Sequence, residues 1–187
     1  MVLRTRGDHN AIVNSLVKTG AEVNGTYEHI GSSVSYAGTT EMFSQAFDIS
    51  SAFEYDFIQS ISTFEAKQIG PYKTDKYFLL IPSLKEALIQ LRDDCVETRR
   101  CIITFPPEHC FQSMQFFVRE KTVEVVCYMR SCDVIKNLTH DMWICLKMAD
   151  IFAKYVSDIF HVHPYDYHKV TMMVGSLHVF KEDANVF

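Results

Sequence analysis

Cys110 is the residue whose surroundings best suit covalent chemistry. It follows Pro106-Pro107-Glu108-His109 and precedes a segment that alternates like a β-strand. A thiol at the entrance of a strand becomes a nucleophile when cationic neighbours lower its pKa. We expect Arg99, Arg100 and Arg130 to be such neighbours of Cys110. The sequence alone leaves the alternative open that Cys110 is a buried, inert thiol.

Two further polar groups lie at the end of one predicted strand and inside another. Arg130-Ser131 closes the strand predicted over Thr122–Met129, and a guanidinium fork beside a hydroxyl suits a phosphate or carboxylate. His178 lies in the apolar stretch Gly175–Phe180, where a core histidine bonded to a backbone carbonyl is the usual alternative. No metal site is predicted, because the remaining C-terminal histidines lack cysteine or carboxylate partners at a zinc spacing. These histidines are His161, His163 and His168.

The composition is typical of one globular domain. Of 187 residues, 48% are apolar and 22% charged, which supplies a core and excludes a disordered chain. Lys and Arg number 18 against 23 Asp and Glu, and the resulting net charge of −5 excludes bulk binding to nucleic acid. No apolar run has the length of a membrane span, and residues 1–10 lack a signal-peptide stretch. The six cysteines form no CxxC pair, so reduced thiols and a cytoplasmic location are expected.

The elements that must position these residues are less regular in the first half. Glycines separate short strand-like pieces there, including Ser33–Tyr36. The Phe- and Ile-rich stretch Ser44–Phe64 predicts a helix. A capping box at Ser83–Glu86 predicts the start of a second helix that runs to about Asp94.

The second half predicts a largely antiparallel sheet with one long central helix, an α+β fold. Asp141 opens that helix, whose apolar stripe runs on to Ile159. A tight turn at Glu120-Lys121 joins two of the strands. The predicted strands are Cys101–Phe105, Met114–Arg119, Thr122–Met129, Val170–Val174 and Leu177–Phe180.

Four motifs in this order resemble the thymidylate synthase superfamily. They are Cys110 with Gln115-Phe116, Tyr128–Asp133, the acidic opening of the long helix, and Gly175–Phe180. The resemblance covers Arg99–Phe180 and is weaker in the first half. It implies a thymidylate-synthase-like fold, in which residues 1–187 form a single short domain with reduced folate-side and C-terminal segments.

Within the superfamily the motifs resemble the deoxycytidylate hydroxymethylases of phages. Asp141 stands eight residues beyond Asp133, where thymidylate synthases carry an asparagine that reads uracil. Cytosine presents an N3 acceptor and an N4 amino donor, the opposite of uracil. A carboxyl group accepts from the amino group and, when protonated, completes the contact to N3.

The resemblance implies a role for each matched residue. Cys110 is the nucleophile at C6 of dCMP, Asp141 reads the base, and 5,10-methylenetetrahydrofolate supplies the one-carbon unit. The 5′-phosphate contacts are Arg130, Ser131 and Lys18, with Arg99 and Arg100 reaching across a homodimer interface. The remaining substrate-binding residues are Gln115, Asp133, His178, which bonds the sugar hydroxyl, and Phe180, which replaces a tyrosine. No direct nucleic-acid or membrane partner is implied.

The sequence also departs from the family pattern. No carboxylate stands where the family has a catalytic glutamate, and Glu54 or Glu65 would need a shifted register to replace it. Phe111 follows the cysteine where synthases have histidine. Two alternatives therefore stay open beside hydroxymethylation. One is a catalytically degenerate paralogue that binds a nucleotide or a protein, and the other is a C5-methylase of dCMP or dUMP.

Overall fold

The computed structural model describes residues 1–63, 67–69, 72–73, 80–94, 99–120, 122–161, 165 and 167–184. Within these ranges the fold is α+β, as the sequence predicts. The helices are α1 (Arg6–Thr19), α2 (Thr40–Phe47), α3 (Ser51–Thr63), α4 (Leu80–Asp94), α5 (Leu138–Phe160) and α6 (Lys181–Ala184). The strands are β1 (Ala21–Val23), β2 (Thr26–Gly38), β3 (Gln68–Ile69), β4 (Tyr72–Lys73), β5 (Ile102–Thr104), β6 (Phe111–Arg119), β7 (Thr122–Asp133) and β8 (His168–Phe180).

Six strands form one mixed sheet in the order β1-β2-β8-β7-β6-β5. Its neighbours are antiparallel except for the parallel pair β7–β8, so the prediction of a largely antiparallel sheet is confirmed. The β1–β2 hairpin turns at Asn24-Gly25, where both residues have positive φ (46° and 82°), as a two-residue hairpin turn requires. The parallel pair needs a crossover, and α5 lies in that connection.

Helices cover one face of this sheet. On β7 the side chains of Val125 and Cys127 are buried on that face, and α5 packs against β7 and β8. The alternate residues of the strands, such as Tyr128 and Met173, are exposed on the opposite face. This alternation is typical of an antiparallel sheet with one solvated face. Among the described residues, no helix combines the length and the apolar character needed to cross a membrane.

The predicted helix over Ser44–Phe64 is wrong, because two helices occupy that segment. Helix α2 ends at Asp48, which adopts the left-handed conformation with φ 51°. The hydroxyl of Ser50 accepts a hydrogen bond from the Phe53 amide at 3.1 Å and caps the start of α3. A left-handed residue stops a helix, and the serine cap begins a new one in another direction.

Other boundaries also differ from prediction. Helix α4 begins at Leu80, so Ser83 lies in its first turn and is not the cap. Pro82 fits there, because the first four amides of a helix have no intrahelical acceptor. Helix α5 begins at Leu138, three residues before Asp141. The two strands predicted over residues 170–174 and 177–180 form one continuous strand, β8.

Three neighbouring strands of the sheet bend together at one level. At that level each strand leaves one residue outside the ladder, and these residues are Gly31, Arg130 and Gly175. The strands pair in the same register before and after this level. Across it, however, the positions whose side chains point to the buried face change from every second residue of one set to the other set. In β7 the buried residue that follows Met129 is Cys132, three positions later instead of two. In β8 the buried residue that follows Val174 is likewise three positions later, at Leu177. We call this level the kink.

A buried histidine ties the start of β8 to α5. His168 is fully buried, and its Nε2 lies 2.8 Å from Oδ1 of Asp150. Burial alone would raise the pKa of Asp150, but the hydrogen bond from His168 and the nearby charge of Lys147 oppose it, and the pKa lies below its ordinary value of 3.8. The unfolded chain therefore binds the proton of Asp150 more readily than the folded one.

We expect this pair to stabilise the fold at neutral pH and to lose its effect in acid. The contribution of Asp150 is complete above about pH 4 and disappears as the pH falls through the lowered pKa of the folded state. In Asp150→Asn, the free energy of unfolding should fall less steeply between about pH 4 and pH 2. Urea unfolding at several pH values measures this, with the exposed Asp158→Asn of the same helix as control. If the free energy of unfolding changed equally with pH in the wild type, Asp150→Asn and Asp158→Asn, the proposed contribution of Asp150 would be contradicted.

Candidate functional site

Cys110 and Ser131 form the centre of the candidate site. Cys110 lies in the bend just before β6, and its Sγ is 3.8 Å from Oγ of Ser131. The backbone amide of Arg130 donates a hydrogen bond of 2.7 Å to the Cys110 carbonyl, which ties this bend to the kink in β7. The thiol and the hydroxyl are thus close enough to contact one ligand.

The guanidinium of Arg130 lies over the same bend. Its Nη1 donates a hydrogen bond of 3.3 Å to the carbonyl of Pro107, and the side chain is exposed. The expectation that Arg130-Ser131 ends a strand is wrong, because β7 continues to Asp133. The kink exposes these residues within the strand instead, since Arg130 is left outside the ladder.

Burial separates Cys110 from the other cysteines that the structure describes. Four of them are buried: Cys101, Cys127, Cys132 and Cys145. Burial raises the pKa of the Cys101 thiol to about 12. Burial, with the nearby carboxylate of Asp141, also raises the pKa of Cys132 well above its usual range. The alternative that Cys110 is buried is wrong, because this residue is exposed; its reactivity stays a prediction, and Cys95 lies outside the described residues.

Beyond the kink, a row of polar side chains shares the sheet face opposite the helices. We call this surface the site face and define it by Glu28, Ser131, Ser176, His178 and Phe180. Ser131 pairs with Ser176 across β7–β8, and the Ser176 hydroxyl donates to Oε2 of Glu28 at 2.5 Å. His178 pairs with Glu28 across β2–β8. The Cys110–Ser131 contact therefore continues into a polar row across three strands.

His178 and Phe180 occupy the far part of the site face. His178 is half-buried, and its Nδ1 lies 3.4 Å from the carbonyl oxygen of Ser176. The rings of His178 and Phe180 meet edge to face at 5.5 Å. Nζ of Lys136 lies 4.8 Å from the centroid of the Phe180 ring. The structure thus brings both predicted residues to the same surface as Ser131.

Asp141 lies on the other side of β7 from Cys110. Its carboxylate is 3% exposed, and its Oδ2 accepts from the Cys132 thiol at 3.6 Å. Ser131 and Cys132 are neighbours in a strand, so their side chains point to opposite faces. The structure therefore brings Cys110 to Ser131 and Asp141 to Cys132, but it does not bring Cys110 and Asp141 to one face.

Glu54 is held away from both groups. Its Oε1 accepts hydrogen bonds from the Ser44 hydroxyl and, at 3.1 Å, from Nε1 of Trp143. Asp141 and Trp143 are two residues apart in α5, so their side chains leave the helix about 160° apart. Glu54 instead lines a cleft of about 800 Å³ together with Lys147. It does not replace the missing catalytic glutamate in this geometry, and Glu65 lies outside the described residues.

Two of the predicted phosphate ligands lie far from Cys110 within one chain. The side-chain amide of Gln115 donates a hydrogen bond of 2.6 Å to the Arg99 carbonyl, next to Arg100 at the entrance of the edge strand β5. Gln115 is five residues along β6 from Cys110, a distance of roughly 17 Å in an extended strand. Arg99 and Arg100 therefore lie away from the Cys110 of their own chain.

Lys18 and Asp133 lie at the borders of the site face. Lys18 is exposed in the last turn of α1, and its neighbour Thr19 is hydrogen-bonded to His29 of β2. Asp133 is buried, and its Oδ1 accepts from the amides of Ile135 and Lys136 at 2.9 and 3.0 Å. This carboxylate shapes the turn into α5, so we do not assign it, or any other described residue, to methylenetetrahydrofolate.

Gly175 keeps the kink in place, because there is no room for a side chain. A Cβ at this position would lie 2.7 Å from the Arg130 carbonyl oxygen, so the backbone would have to shift. We expect Gly175→Ala to lower the free energy of unfolding by about 1–3 kcal/mol and to displace Ser131 from Cys110. Thermal unfolding measures the first effect.

The matched control is Gly7→Ala, because Gly7 lies in exposed α1 and its Cβ would make only an ordinary contact. This change should stabilise the protein slightly, since alanine favours a helix over glycine. Equal stability of the Gly175→Ala protein and the wild type would contradict the account of the kink.

No family model matches the chain, and no curated protein is similar to it at the threshold of a significant match. The function is therefore argued from the geometry of the site and from the resemblance of the motifs.

Sequence reasoning missed Glu28 and Ser176. The two residues stand 148 positions apart, and only the pairing of β2 with β8 brings them together. The weak signal for Ser176 was its place within the stretch Gly175–Phe180, two residues before His178. No feature of the sequence marks Glu28.

Proposed function

We propose that this protein is a transferase that modifies C5 of a pyrimidine deoxynucleotide, with 5-hydroxymethylation of dCMP as its reaction. The observation that carries the proposal is the exposed Cys110 thiol, 3.8 Å from the Ser131 hydroxyl and bonded through its carbonyl to the Arg130 amide. A nucleophile beside an anion-binding hydroxyl and guanidinium suits attack on a base whose phosphate is held nearby. A homodimer of the thymidylate-synthase-like fold in a reducing cytoplasm is part of the same proposal.

The proposed chemistry begins at Cys110. Its thiolate adds to C6 of the cytosine, and the electron pair of the C5–C6 double bond makes C5 a carbon nucleophile. C5 attacks the methylene carbon of methylenetetrahydrofolate, a co-substrate consumed in each turnover. Loss of the C5 proton and departure of tetrahydrofolate leave an exocyclic methylene. Water adds to that methylene as the thiolate leaves, and the product is 5-hydroxymethyl-dCMP.

A second subunit completes the proposed phosphate site. On the sheet face opposite the described helices, the apolar residues Ile30, Tyr128 and Met173 are 73%, 42% and 44% exposed. Such apolar exposure favours contact with another copy of the chain. Because Arg99 and Arg100 lie far from Cys110 in their own chain, a dimer is the arrangement in which they meet the phosphate.

The position of Asp141 favours a second candidate, a binding module without catalysis. Its carboxylate is turned to Cys132, and Glu54 is bonded to Trp143. Neither group acts on a ligand at Cys110 while it keeps these partners. Retained phosphate contacts on the site face would then bind a nucleotide or a protein. Methylation of dCMP or dUMP at C5 stays as the alternative product of an active enzyme.

Base preference tests the proposal and separates the two candidates. If Asp141 turns from Cys132 to the base, the wild type binds dCMP more tightly than dUMP, and Asp141→Asn reverses the order by at least about tenfold in the ratio of affinities. Calorimetric titration of both nucleotides into both proteins measures this. Equal affinities of the wild type for dCMP and dUMP would contradict the role of Asp141 and favour the binding module.

A further inference from the structure

One carboxylate on the site face has no part in the proposed reaction. Glu28 accepts a hydrogen bond of 2.5 Å from the Ser176 hydroxyl, and Ser176 pairs with Ser131. Ser131 in turn contacts Cys110. Strands β2, β8 and β7 are adjacent, and the β8 partners of Glu28 and Ser131 are two residues apart, so Glu28 and Ser131 are separated by roughly 12 Å. That span suits a nucleoside held between the thiol and the carboxylate.

His178 places a second polar group beside this carboxylate. It is the ladder partner of Glu28, and its half-buried ring lies near the Ser176 carbonyl. A nucleotide whose base meets Cys110 and whose 5′-phosphate meets Arg130 would direct the rest of its sugar along this row. Glu28 and His178 then face the sugar hydroxyls and not the phosphate.

Two lysines at this end of the sheet have carboxylate partners of their own. Lys181 forms an ion pair with Glu22, and Lys136 forms one with Asp183 at 2.6 Å. The partner that the structure shows for Glu28 is the neutral Ser176 hydroxyl. A carboxylate held in this way accepts a hydrogen bond from a sugar hydroxyl and repels a phosphate.

We propose that Glu28 determines which nucleotides the site accepts. Its carboxylate accepts a hydrogen bond from the free 3′-hydroxyl of a 5′-mononucleotide and excludes a nucleotide whose 3′-oxygen carries a phosphate. This inference rests on the proposed function, because it requires a pyrimidine nucleotide at Cys110. Internal residues of a DNA strand all carry a 3′-phosphate, so the site is selective for free nucleotides.

The test compares dCMP with deoxycytidine 3′,5′-bisphosphate by calorimetric titration. The wild type should bind dCMP at least about thirtyfold more tightly than the bisphosphate. Glu28→Gln should reduce this ratio of affinities at least about tenfold, because the variant binds the bisphosphate more tightly than the wild type does. Glu124→Gln is the matched control, since Glu124 lies at the other end of the same sheet and pairs with Lys169. The control should keep the wild-type ratio.

Ser176→Ala distinguishes an effect of the Glu28 charge on selectivity from an effect of the shape of the site. It removes the hydroxyl but keeps the carboxylate, so the ratio should stay within about threefold of the wild type. Loss of selectivity in Ser176→Ala as large as in Glu28→Gln would overturn the inference. An unchanged ratio in folded Glu28→Gln would also overturn it and leave the proposed function standing. Failure of dCMP to bind the wild type would overturn both.

Discussion

Replacement of Cys110 by serine should abolish exchange of the C5 proton of dCMP, with an expected loss of at least about a thousandfold. In the proposed mechanism the Cys110 thiolate forms the bond to C6 that makes C5 a nucleophile, and a serine hydroxyl is a far weaker nucleophile at neutral pH. The affinity for dCMP should change less than about threefold, since a nucleophile adds little to ground-state binding. Tritium release from C5-labelled dCMP with methylenetetrahydrofolate measures the exchange.

The control for this change is Cys101→Ala. Cys101 is buried beside the edge strand β5, so its loss should affect stability and leave exchange near the wild-type rate. Exchange that persists in Cys110→Ser would contradict the covalent mechanism. Binding of dCMP to the wild type without exchange would favour the binding module over the enzyme.

Arg130→Ala should lower the affinity for dCMP at least about tenfold, because a charge-assisted contact to phosphate contributes about 1.5–3 kcal/mol. The guanidinium is exposed beside the bend that carries Cys110, so its removal takes charge from the proposed phosphate position. Deoxycytidine, which lacks the phosphate, should bind poorly and equally to both proteins. Calorimetric titration of dCMP and of deoxycytidine into each protein measures the two affinities.

Arg119→Ala is the matched control for Arg130. Arg119 lies at the other end of β6, where its Nη1 donates to the Val118 carbonyl, so its removal should leave dCMP binding unchanged. Equal loss in both variants would indicate a general charge effect and contradict the local contact. A protein that binds dCMP tightly as a monomer would contradict the role of Arg99 and Arg100 across subunits.

The regular parts of the fold were predictable because their patterns are local. The alternation of apolar residues predicted β6 and β7 to within a few residues at each end, and the apolar stripe predicted most of α5. The break between α2 and α3 was not predictable in the same way. It depends on the left-handed conformation of Asp48, and the apolar content of the segment hides that single residue.

The site was predictable only where its parts lie close in the chain or follow the family order. Cys110, Arg130 and Ser131 were predicted together, and the structure brings them together. The kink was not predicted, because it arises from one unpaired residue in each of three strands. The kink decides which side chains share a face of the sheet. It therefore places Asp141 on the opposite side of β7 from Cys110, a position that no local sequence pattern predicted.

Alkylation of Cys110 in the presence and absence of dCMP tests the central claim most directly, because it reports on both the thiol and the nucleotide site. With iodoacetamide and peptide mass spectrometry, Cys110 should react at least about tenfold faster than the buried Cys101, Cys127, Cys132 and Cys145. Saturating dCMP should slow that reaction at least about tenfold, while deoxycytidine at the same concentration should not. Slow alkylation of Cys110, with no protection by dCMP, would contradict the account.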